Sequence, residues 1–172
     1  MIDLEPLSSE HFEMVARWLS RPDVNQWLSS EWRGRVIEPA LIAIAVRNKR
    51  NRFFLVRTNG AACGFVALAD LDIVDRIAMV WYALGDPSSG GAGVTTAAVG
   101  LLARIAFESL DLEALHAWVI EGNEPSRRVL LKNGFRESGR LRNAAVRDGA
   151  RVDRIYFDLT RDEHQRRDHA LS

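Results

Sequence analysis

The sequence predicts a mixed α/β (α+β) fold: one sheet with helices inserted between its strands. Three observations predict it. Helical and strand periodicities alternate along the chain in the order β-α-α-β-β-β-α-β-α-β-β. Two dipeptides that tolerate left-handed backbone, Asn59-Gly60 and Asp148-Gly149, each separate two strand-like runs. A glycine- and serine-rich stretch, Ser88 to Gly93, lies between a nearly all-apolar strand and a helix.

Ile2 to Leu4 reads as a short first strand. In "SSEHFEMVARWLS", Ser8 or Ser9 can cap a helix whose Phe12, Val15, Ala16 and Leu19 share a face. Pro22 breaks it. "EPALIAIAVRNKR" starts a second helix with Pro39 near its beginning. "RFFLVRT" and "AACGFVALADLD" flank the first turn as a hairpin, and "AMVWYAL" is apolar enough for a central strand. A helix follows the glycine stretch from about Val94 to Ser109. "ALHAWVI" is a strand. "NEPSRRVLLKNGF" is a capped helix that exits at Asn133-Gly134. "FRESGRLRNAAVR" and "ARVDRIYFDLT" flank the second turn. A single domain over 1–172 is expected, with about 161–172 a charged, disordered tail.

Of 172 residues, 47% are hydrophobic and 27% charged, which suits a globular domain with a real core. Lys and Arg together number 23, as do Asp and Glu, and this zero balance argues against a dedicated nucleic-acid binder. Cys63 is the single cysteine, so an internal disulfide and a cysteine-rich metal site are excluded. No stretch is apolar enough to span a membrane, and "MIDLEPLSSEHF" lacks the regions of a signal peptide. A cytoplasmic location is the expectation.

A helix begins with backbone N–H groups that lack partners and with about half a positive charge. Small residues ahead of it let an anion reach those groups. The stretch is not a P-loop, since Gly-Val-Thr stands where Gly-Lys-Ser/Thr is required, and Gly91-Ala92-Gly93 followed by Thr96 misses the dinucleotide fingerprint. Read alone, it is as compatible with a plain turn as with a phosphate site.

The longer run "GDPSSGGAGVTTAA", from Gly85, resembles the GNAT superfamily of acyl-CoA-dependent N-acetyltransferases, in its ribosomal-protein N-terminal acetyltransferase branch. So do Asn123, Ser126, Gly134-Phe135, "ESGRLR" from Glu137 and "RDGARVD" before the last strand. "WLSRPDVNQWL" is similar to the substrate-side entry of that branch. The resemblance implies a mostly antiparallel sheet of about six or seven strands, with a splayed β4/β5 pair and about four helices. It implies acetyl-CoA as cosubstrate and no metal. Ser89, Gly90, Gly91, Ala92, Gly93 and Val94 would cradle its pyrophosphate, and Thr95 or Thr96 would add a hydroxyl. Asn123 and Ser126 would face the pantetheine and thioester. A strand N–H at Ala83 or Leu84 would serve the oxyanion. Homodimers through the last strands are common in the superfamily.

The sequence departs from the family at Gly90, which replaces the usual Arg or Gln, at Met79, where a Glu base often stands, and at Leu130, where a Tyr acid often stands. The resemblance leaves Ser126 as the acid. Glu121, His116 and Asp72 are candidates for base, with Glu121 favoured and a water relay as the alternative. Trp27 and Trp32 either wall an acceptor pocket or pack onto the second helix. The expected activity is acetyl transfer to a primary amine: the α-amino group of a peptide or amino acid, or an amino sugar. The competing reading is a catalytically silent CoA-binding or partner-binding module. Neither a nucleic acid nor a membrane is an expected partner.

Overall fold

Both turn dipeptides adopt the backbone their chemistry permits. Asn59 (φ 50°) and Gly60 (φ 83°) join β2 (Arg52–Thr58) to β3 (Ala61–Asp72), and Asp148 (φ 50°) and Gly149 (φ 78°) join β6 (Arg136–Arg147) to β7 (Ala150–Thr160). Two successive left-handed residues match the twist of the strands they connect. The computed structural model describes residues 1–85 and 93–171. With β1 (Ile2–Pro6), β4 (Ile77–Leu84) and β5 (Ala114–Ile120), these strands form a seven-stranded sheet in the order β1-β2-β3-β4-β5-β7-β6. Every pairing is antiparallel except β4 with β5.

Six α-helices are present among the described residues, against the four or so expected: α1 (Phe12–Ser20), α2 (Pro22–Asn25), α3 (Pro39–Arg47), α4 (Val94–Arg104), α5 (Glu124–Lys132) and α6 (Arg161–Leu171). Pro22 ends one helix and begins another, because its fixed φ and missing N–H suit a first helical turn. A π-helical turn, Ile105–Ser109, extends α4 to the predicted end. The charged tail is a helix, a correction to the expected disorder. Glu163 on α6 accepts from Thr160 N (3.1 Å) and Thr160 Oγ1 (2.9 Å) and pairs with Arg136 Nε (3.0 Å). His164 is buried and lies against Phe107 at 5.0 Å between ring centroids.

The sheet divides two cores. Val66, Leu68, Ala78 and Val80 face α4 and α5 with Leu102, Leu115 and Phe157, while Phe53, Leu55, Phe65 and Ala67 face α1 and α3 with Leu19 and Ile42. Alternation along buried strands therefore produces two packed layers. No helix among the described residues is long and apolar enough to cross a membrane.

Gly85 pins the end of β4 to the α1–α2 corner. Its carbonyl accepts from Arg21 Nη1, its N–H donates to Cys63 O at 2.7 Å, and a Cβ there would fall 2.2 Å from the Trp18 ring. Gly85→Ala should therefore lower unfolding stability by about 1–3 kcal/mol, the usual cost of overpacking, in urea titrations followed by tryptophan fluorescence.

Candidate active site

The parallel pairing of β4 and β5 is short. It covers Ile77↔Ala114, Ala78↔Leu115 and Met79↔His116, although both strands run on, to Leu84 and Ile120. Each strand keeps its other neighbour as it continues: β4 pairs with β3 as far as Leu84↔Gly64, and β5 with β7 as far as Ile120↔Arg154. A gap thus opens inside the sheet. It leads into a cavity of about 1370 Å³.

The cavity collects most of the sequence-predicted residues: Ala83 and Leu84 from β4, Gly93 to Thr96 at the start of α4, and Asn123 and Ser126 at the start of α5. Ser89, Gly90, Gly91 and Ala92 lie outside the described residues. Gly93 has φ 74°, and a Cβ there would meet nothing within 4 Å, so the approach to the α4 N-terminus is open. Ala97 N bonds Gly93 O at 2.9 Å as the first helical bond, which leaves the N–H groups of Val94, Thr95 and Thr96 without partners in the helix. Arg128 and Lys132, one turn apart on α5, also line the cavity, and Asn133 Nδ2 donates to Thr96 O at 3.0 Å, holding the end of α5 against the first turn of α4. Sequence reading passed over this pair of cations. Of the two strand donors, Leu84 N–H is the one that faces the gap. Gly85 N–H points to β3, and alternation sends that of Ala83 the same way.

Asn123 caps α5: its Oδ1 accepts from Ser126 N at 3.3 Å. Ser126 Oγ lies 3.0 Å from the hydroxyl of Tyr82 on β4, and that hydroxyl also donates to Ser126 O at 3.1 Å. Burial pushes the Tyr82 phenol up to about 12, partly opposed by its bond to Ser126. Sequence reading sought a tyrosine at Leu130, which is fully buried in the core. Alternation away from Trp81 does place Tyr82 on the α5 face, and that is the signal that could have found it.

The three candidate bases fare differently. Glu121 does not line the cavity. Its carboxylate accepts from Arg140 Nη1 at 3.0 Å and from Asp153 N at 3.3 Å, so it ties the end of β5 to β6 and β7. Asp72 accepts from the N–H groups of Val74 and Asp75 in the β3–β4 turn, which hold its carboxyl below the usual range. His116 is half-buried, and burial lowers its pKa against a weaker pull from Asp70. Neither of these two lines the cavity either.

Trp27 and Trp32 both line it. The Arg147 guanidinium lies 4.2 Å from the Trp27 ring centre, and Trp32 tilts against Trp81 at 6.1 Å, so each wall residue is also packed. No cluster of three or more His, Cys, Asp or Glu able to hold a metal exists among the described residues.

Residues 2–136 match the acetyltransferase (GNAT) domain family. The chain belongs to the GNAT acetyltransferase family. The chain is 35% identical to the "Putative ribosomal N-acetyltransferase YdaF" of Bacillus subtilis (strain 168) over 61% of its length and 57% of that protein's. It is 28% identical to the "SPbeta prophage-derived uncharacterized N-acetyltransferase YokL" of the same organism, over 66% of this chain and 64% of that one. Its matches thus span less than two thirds of either relative. Spermidine N-acetyltransferase from Vibrio cholerae, solved in complex with CoA and spermine, superposes with a TM-score of 0.84 at 16% identity, over 95% of this chain and 98% of that one, and shares the fold.

A spectrophotometric titration should show one phenol ionising only near pH 12. Tyr82→Phe should remove that late step, and its survival in the variant would assign it elsewhere.

Proposed function

We propose that this GNAT chain transfers an acetyl group from acetyl-CoA to a primary amine, by direct attack in a ternary complex. The α-amino group of a peptide or amino acid, or an amino sugar, is the acceptor class. The observation that carries the proposal is the gap between β4 and β5 that ends on the Ser126–Tyr82 hydroxyl pair.

The residues present fit the cosubstrate. The open N-terminus of α4, with Gly93 and the N–H groups of Val94 to Thr96, suits a phosphate. Arg128 and Lys132 add positive charge beside it, which offsets the neutral Gly90 of the sequence. Acetyl-CoA supplies the thioester carbonyl and the thiolate leaving group. Leu84 N–H faces the gap, where it can donate to the developing oxyanion.

Ser126 Oγ holds the proton for the leaving thiolate. Two hydrogen-bond arrangements satisfy the pair. Tyr82 can donate to Ser126 O and accept from Oγ, or it can donate to Oγ and leave the serine proton free to be given away. The second supports the serine oxygen as its proton departs. A phenol pushed up to about 12 stays protonated throughout. Tyr82 thus provides from the strand the hydroxyl that Leu130 lacks on the helix.

None of Glu121, His116 and Asp72 lines the cavity, although the carboxylates Glu31 and Asp70 do, so an amine that arrives neutral or sheds its proton to water needs the least help. An α-amino group, at a pKa of ~7.7–8.0, does so far more readily than a lysine at ~10.4. Oriented attack then supplies much of the rate.

The deciding experiment pairs a thermal melt with a thiol-release assay. Acetyl-CoA at about 100 times its Kd should add about 2.7 kcal/mol of stability, and peptide amines should release CoA thiol. A stabilised protein that releases none with any amine would favour the silent binding module. Ser126→Ala should cut kcat by about 10²-fold or more, within the usual range for a lost general acid, with the acetyl-CoA melt shift intact. The pH profile of kcat/KM should rise to a plateau near the acceptor's own pKa. It should not fall where an ordinary tyrosine, at ~10, would ionise.

A further inference from the structure

We infer that the acceptor is an acidic peptide, its carboxylate near the amine held by Arg154. The inference rests on the acetyltransferase reading and names the substrate class of the same site. Arg154 on β7 lines the cavity beside Trp118, and its guanidinium carbon lies 4.2 Å from the Trp118 ring centre. Stacking on an indole fixes the plane of the fork and leaves its edge for a carboxylate.

No carboxylate pairs with it. Among the described residues Arg154 makes no ion pair, and its Nε is buried without a hydrogen-bond partner. Buried polar nitrogens are ordinarily bonded, so such a group needs a reason. The nearest carboxylates along the chain are already engaged. Arg140 Nη1 binds Glu121 and Asp153, each at 3.0 Å, and Asp153 also accepts from Asn143 N at 3.0 Å. Alternation turns Asp153 and Arg154 to opposite faces of β7. Three acidic residues line the cavity: Asp23 is paired with Arg21 at 2.5 Å, while Glu31 and Asp70 make no ion pair among the described residues, with Arg154 or any other cation. The cavity wall at Trp118 therefore carries a held, unneutralised cation. It suits an anionic group on the acceptor.

The test compares the peptide amides Ser-Asp-Ala-Ala and Ser-Asn-Ala-Ala, with spermidine as a third acceptor, in the thiol-release assay. The wild-type protein should prefer the aspartyl peptide in kcat/KM by roughly 10- to 100-fold, as a hydrogen bond to an ion would give, and should turn over spermidine more slowly than either. Arg154→Gln should bring the two peptides within about 2-fold of each other. Arg154→Lys should restore only part of the preference, since an ammonium keeps the charge and loses the fork. The acetyl-CoA melt shift of each variant reports that its site is still folded. Equal rates for the two peptides, a preference that survives in Arg154→Gln, or spermidine as the best acceptor would each overturn the inference. If no amine is acetylated, the transferase reading fails by itself. Peptide binding in the presence of CoA then decides: tighter binding of the aspartyl peptide, lost in Arg154→Gln, upholds anion recognition, and equal binding ends it.

Discussion

The structure depends on a parallel strand pair that stops pairing in the middle of the sheet. Beyond Met79 and His116, β4 and β5 no longer bond each other. Unpaired backbone groups inside a protein are costly, so a sheet does not part without restraint from both sides. Here the two strand ends belong to different halves of the molecule. Trp18 against Gly85, with Arg21 on the Gly85 carbonyl, holds the end of β4 to α1 and α2. Arg140, bridging Glu121 and Asp153, holds the end of β5 to β6 and β7. Tyr82 spans the gap from β4 to the start of α5 and sets its floor.

That arrangement explains why the Ser126 and Tyr82 hydroxyls lie where they do. Ser126 sits in the first turn of α5, whose cap is Asn123, directly after β5. A capped helix start is rigid, because the Asn123 side chain takes up one of the free N–H groups. Tyr82 approaches from the opposite strand. The distance between two hydroxyls is thereby fixed by the separation of β4 and β5 rather than by either side chain alone. The same parting exposes Leu84 N–H, which a continuous sheet would have consumed. The proposed oxyanion donor, proton holder and supporting phenol all derive from one interruption in a hydrogen-bond ladder.

The fold was legible where its determinants are local. Asn59-Gly60 and Asp148-Gly149 announce their hairpins because two left-handed residues in a row have few alternatives, and Pro39 marks a helix start through its own geometry. The cavity residues Gly93 to Thr96, Asn123 and Ser126 were legible through motif order. What escaped notice depends on partners distant in sequence. Glu121 reads as a free carboxylate at a strand end until Arg140, on another strand, claims it. The last helix has no apolar stripe, and its anchors are Thr160, Arg136 and Phe107, which only the folded chain brings together. Tyr82 was overlooked because the missing phenol was sought on the helix, although the strand supplied one.

The fold is shared with a spermidine acetyltransferase at 16% identity, so the fold cannot choose the acceptor. That choice falls to side chains that the common scaffold leaves free to vary, and their charges follow from bookkeeping along β7. Asp153 and Arg154 are neighbours in sequence but face opposite sides of the sheet. Asp153 is spent, with Glu121, on closing the β5 end through Arg140. Arg154 is left on Trp118 at the cavity wall without a carboxylate of its own among the described residues. Strand alternation on β7 thus separates the carboxylate that anchors the β5 end from the cation proposed to read the acceptor.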